Sequence, residues 1–129
     1  SVSQPDERST AMNMPLITTA PDAAASLYRI EELLSHAVMA NDRWDAVSYN
    51  LSQASTLAAL LAAEHPTTRP QVIPNLLALS LEDCIDQALR EAMSWDFALL
   101  PQFPDMSRLT CMLTDLRRSL KAPADHGAP

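Results

Sequence analysis

Apolar residues return three and four positions apart in four stretches of the chain, the spacing that lays one stripe along an α-helix. Leu27, Ile30, Leu34, Ala37 and Val38 mark the first, opened by Pro21 in what suits a first helical turn. Trp44, Val47, Leu51, Ala54, Ala58 and Leu61 mark the second, predicted over 43–64, with Leu57 and Leu60 as a further apolar row. Leu77, Leu81, Cys84, Ile85, Ala88, Leu89 and Ala92 mark the third, and Leu109, Met112, Leu113, Leu116 and Leu120 the fourth. The widened seam of the second helix predicts contact with two neighbours, which a bundle supplies and a two-stranded coil does not.

The polar and proline positions place the boundaries. Asn41 suits a left-handed helix end, and Asp42, with Asp45 three residues later, reads as the next start, so helices one and two should form a tight antiparallel hairpin, the alternative being an unbroken helix through Ala40 to Trp44. Pro66, Pro70 and Pro74 end helix two, because each lacks a backbone donor and disfavours helical geometry in the residue before it. Ser80 with Asp83 resembles a capping box, in competition with Asn75 as the start of helix three. Pro101 and Pro104 interrupt the chain again, Asp105 is the expected cap of helix four, and Pro123 ends it. The expected architecture is all-α: a compact bundle of about four helices built from two hairpins, over 21–122. A disordered tail is expected over 1–20, where no periodicity appears, and another over 123–129.

Composition agrees with helices. Ala and Leu supply most of the apolar content, Val and Ile are sparse, and the one glycine, Gly127, stands near the end. Glycine-built phosphate loops are therefore absent from the predicted bundle. The net charge of −7 opposes nucleic-acid binding, which needs basic residues to displace counterions from phosphates. No apolar run reaches the length of a membrane span, so no membrane partner is expected. Cys84 and Cys111 are too few and too far apart for a disulfide framework, which favours a reduced, cytoplasmic setting. Arg117, Arg118 and Lys121 suit the negative end of helix four.

Chemistry-bearing residues do not assemble into a motif. His36, His65 and His126 lack the i, i+4 spacing of a helical metal site, and no G-x-S-x-G turn exposes a nucleophile. Glu31, Glu32, Glu82, Asp83, Asp86 and Glu91 lack the Glu-x-x-His partners of a di-iron bundle and read as solvated faces. No catalytic, cofactor-binding or metal-binding residue is assigned, and no cofactor is expected.

The preferred function is a small acidic intracellular protein–protein interaction module, non-catalytic and regulatory, of antagonist or antiactivator type. Its partner would be another protein, a transcriptional regulator or a secreted substrate. Trp95, Phe97, Leu99, Leu100 and Phe103, in a proline-bounded segment, are the candidate partner-binding residues, although a lid over the core suits them slightly better. Self-association as a homodimer is expected through Leu51, Ala54, Ala58 and Leu61, where small residues let helix axes approach. One alternative is a secretion-type chaperone or adaptor dimer. Another is a helical small-ligand or metal-binding enzyme with His36, Glu32 and Cys84 between its helices.

Overall fold

Helices form at all four apolar stretches in the computed structural model, which describes residues 16–42, 45–68 and 72–121. They are α1 (Ala20–Ala40), α2 (Ala46–Glu64), α3 (Leu81–Ala92) and α4 (Met106–Lys121), with short 3-10 turns at Leu76–Ala78 and Phe97–Gln102. Among the described residues there is no strand, only an isolated parallel bridge between Ile17 and Trp95. The protein is a compact helical bundle. The hairpins α1–α2 and α3–α4 lie side by side, so that α1 packs on α3 and α2 on α4. No helix among the described residues is long and apolar enough to cross a membrane.

The predicted stripes meet at the centre. Leu27, Ile30 and Leu34 from α1, Leu51 from α2, Ile85 from α3, and Leu109, Leu113 and Leu116 from α4 are all buried. Each such side chain contributes about 1.5–3 kcal/mol by leaving water. Ala54 and Ala58 are fully buried beside them, where a small side chain lets α2 approach its neighbours.

Helix ends follow the capping chemistry with two changes. Thr19 Oγ1 accepts a hydrogen bond from Asp22 N at 3.2 Å, and Pro21 occupies the first turn of α1. The start of α2 is Asp45 rather than Asp42: Asp45 Oδ1 accepts from Val47 N and Ser48 N at 3.1 and 3.3 Å, while Asp42 stays exposed. Asn41 ends α1 in extended geometry (φ −81°), not left-handed, and its Nδ2 donates to Ser48 Oγ at 2.8 Å. That bond ties the end of α1 to the first turn of α2. Arg43 and Trp44, expected in helix two, lie outside the described residues.

Ser80 starts α3, with Oγ accepting from Asp83 N at 3.1 Å. Asn75 instead precedes the 3-10 turn with φ 58°, and Asp105 precedes α4 with φ 76°. Without glycine nearby, the positive-φ positions fall to Asn and Asp, which tolerate that region best. Asp105 starts α4 through its backbone carbonyl, which accepts from Leu109 N at 2.9 Å. Ser80→Ala should cost about 1 kcal/mol, measured as a lower urea midpoint with an unchanged slope.

The end of the expected N-terminal tail is part of the bundle. Ile17 is buried, its N–H donates to Ser94 O and its carbonyl accepts from Asp96 N, both at 2.8 Å. A single anchored residue leaves no periodicity to detect. Residues 1–15 of the expected N-terminal tail, Ala122 of the expected bundle and the expected tail 123–129 lie outside the described residues.

Candidate functional site

The segment after α3 divides its large side chains between core and surface. Trp95, Leu99 and Phe103 are buried, Leu100 is half-buried, and Phe97 is 84% exposed. The buried members share a spacing of four, and the core residue Met106 follows three positions later, so they act as a further apolar stripe that Pro101 conceals in the sequence.

Trp95 is the hub of this segment. Its indole Nε1 donates to Ser26 Oγ at 2.9 Å, so the buried hydroxyl of α1 and the buried N–H satisfy each other. Its ring meets Phe103 edge-on at 4.9 Å, and Phe103 lies 4.3 Å from the His65 ring at the end of α2. With the Ile17 bridge, this column joins the N-terminal segment, α1, the end of α2 and the α3–α4 connection. Trp95, Leu99 and Phe103 are thus part of the buried core of this chain.

Phe97 faces the other way. With the exposed Met93 it borders an open cleft of about 320 Å³ between the end of α3, the Phe97–Gln102 turn and α4. Ala92, Trp95 and Leu100 give it apolar walls, while Ser107, Thr110 and Cys111 line the α4 side. Thr110 Oγ1 donates to Met106 O at 3.0 Å, which satisfies the hydroxyl within its own helix. What remains is a mainly apolar concavity with an aromatic ring and a thioether on its rim. Such a surface can take an apolar side chain from another molecule.

A second cleft, of about 410 Å³, runs between α1, α3 and Val72–Pro74. Its walls include Arg29 and Glu91. Arg29 Nε donates to Glu91 Oε2 at 3.0 Å and Nη2 reaches the same oxygen, so these two opposite charges pair with each other.

Leu51, Ala54, Ala58 and Leu61, the residues expected to self-associate, are all buried within a single chain. The seam faces α1 and α4, so the bundle occupies it internally. The residues weighed for an enzyme site do not form a polar hollow. Glu32 is exposed, His36 is half-buried, and no group of three His, Cys, Asp or Glu among the described residues is placed to hold a metal ion.

Cys84 is fully buried, and desolvation, with the Asp83 charge adding to it, raises its thiol to about 11. That thiol stays protonated at neutral pH. Although α3 and α4 pack together, Cys84 points into the core and Cys111 is exposed, and both are free. The basic end of α4 is more than a solvated turn. Arg117 Nε lies 2.8 Å from Asp86 Oδ1 and Lys121 Nζ 3.7 Å from Asp86 Oδ2, pairing α4 with α3. The Arg117 contact is an ion pair, and the buried Oδ1 accepts no hydrogen bond among the described residues.

Comparison of the chain with known protein families, with curated proteins and with solved structures gave no match.

Proposed function

We propose that this protein is a non-catalytic interaction module that docks another protein through the Phe97 cleft, as an antagonist or antiactivator of that partner. The observation that carries this reading is the exposure of Phe97 and Met93 beside an apolar cleft, while Trp95, Leu99 and Phe103 of the same segment are buried. A phenyl ring held in water on a short, well-anchored turn has no role in the core. It does have the chemistry of an interface anchor. The turn is held at both ends, by Asp96 Oδ1 accepting from Ala98 N at 3.0 Å and by the buried Phe103, so docking needs little reordering.

The apolar lining predicts binding that changes little with salt, because ion pairing with the acidic surface is secondary at this site. Phe97→Asp should leave the thermal midpoint unchanged and weaken partner binding about 30-fold, the scale of a lost anchor residue. The measurement is affinity capture from the native host with the wild type, followed by titration of the captured partner against both forms. Unchanged affinity would overturn the assignment of this cleft.

A further inference from the structure

We propose that the cleft between α1, α3 and Val72–Pro74 binds a small apolar α-amino acid in its zwitterionic form. Three polar side chains reach it from α3: Gln87, Arg90 and Glu91, placed three and four residues apart on one helical face. Leu33 of α1, with Ile73 and Pro74, supplies the apolar walls. The volume of about 410 Å³ lies within the usual range for small-molecule sites.

Glu91 carries the argument. Its side chain is 5% exposed, yet both bonds from Arg29 end on Oε2. Oε1 accepts no hydrogen bond among the described residues and, unlike Asp86 Oδ1, is not sealed from solvent. A carboxylate oxygen held in a nearly dry wall, with its lone pairs open to a cleft, is a receptor for a donor. An ammonium group satisfies it best, because that bond is charge-assisted. An amine alone would bring a third cation into a cleft that Arg29 and Arg90 already line. A carboxylate on the adjacent carbon removes that penalty and meets Arg90, whose guanidinium makes no ion pair among the described residues. Gln87, also without a hydrogen bond among the described residues, offers both a donor and an acceptor one turn earlier on α3. The ligand's apolar side chain then falls to Leu33, Ile73 and Pro74. This cleft shares no lining residue with the Phe97 cleft, so each is tested without the other.

The test is isothermal titration of the full chain with L-leucine, expected to saturate with a Kd on the order of 1 mM or tighter. Three analogues each remove one feature. Leucinamide lacks the anion and stands in for a peptide N-terminus, the α-keto analogue of leucine lacks the ammonium, and glycine lacks the apolar side chain. Each should bind at least about 10-fold more weakly. Arg90→Gln, a substitution at an exposed position, should keep the thermal midpoint of the unliganded protein and lose about 10-fold in affinity for leucine. Leucine should raise the thermal midpoint of the wild type more than that of Arg90→Gln. No saturation of the wild type by about 10 mM leucine, any analogue binding as tightly as leucine, or Arg90→Gln of unchanged affinity would each overturn the proposal.

Discussion

Trp95→Ala is expected to lower the unfolding free energy by about 3–5 kcal/mol, the range for removing a large buried aromatic side chain. For a bundle of this size that corresponds to a fall of roughly 10–20 °C in the thermal midpoint, followed by circular dichroism at 222 nm. Three losses combine. The indole leaves a cavity beside Phe103, whose ring it meets at 4.9 Å. Ser26 Oγ is left in a fully buried position without its donor. The Ile17 bridge then rests against a void, although its backbone hydrogen bonds to Ser94 and Asp96 remain available. Trp95→Phe separates these terms, since it fills most of the volume and still orphans the Ser26 hydroxyl. Its cost should be about 1–3 kcal/mol. If Trp95→Ala melted like the wild type, the aromatic column would not be what joins the ends of the bundle.

The column also shows which parts of the structure the sequence discloses. The stripes of α1 to α4 depend on neighbours within a few residues, and spacing alone reveals them; the caps are also local, but spacing leaves Ser80 in competition with Asn75 and points to Asp42 where Asp45 caps α2. Trp95 and Ser26 are 69 positions apart and Arg29 and Glu91 are 62 apart, so neither pairing leaves a local trace. Glu91 in particular reads as one of several carboxylates on a solvated face, yet it is buried, because the penultimate position of α3 points it at Arg29 of α1.

Phe97 and Phe103 could not be separated by residue type, since both lie in one proline-bounded segment. The spacing of Trp95, Leu99, Phe103 and Met106 was the available signal for the buried set, with Phe97 as the residue out of step.

Arg29→Met is the second large effect, expected at about 3 kcal/mol by urea denaturation near pH 7. Glu91 has a side chain only 5% exposed, and Arg29 Nε and Nη2 both donate to its Oε2. Removing the guanidinium leaves a carboxylate in the gap between α1 and α3 with its cation gone, which is costlier than never burying the pair. The figure lies at the low end of the range for such breaks because Arg29 is itself 31% exposed, so water can enter where it stood. Arg29→Met combined with Glu91→Leu should therefore recover most of the loss, since two apolar side chains fill the same space with no charge left to solvate. A double variant no more stable than Arg29→Met would show that Glu91 is held by more than its arginine. Recovery would identify the ion pair as a device that fixes the α1–α3 register rather than a net source of stability.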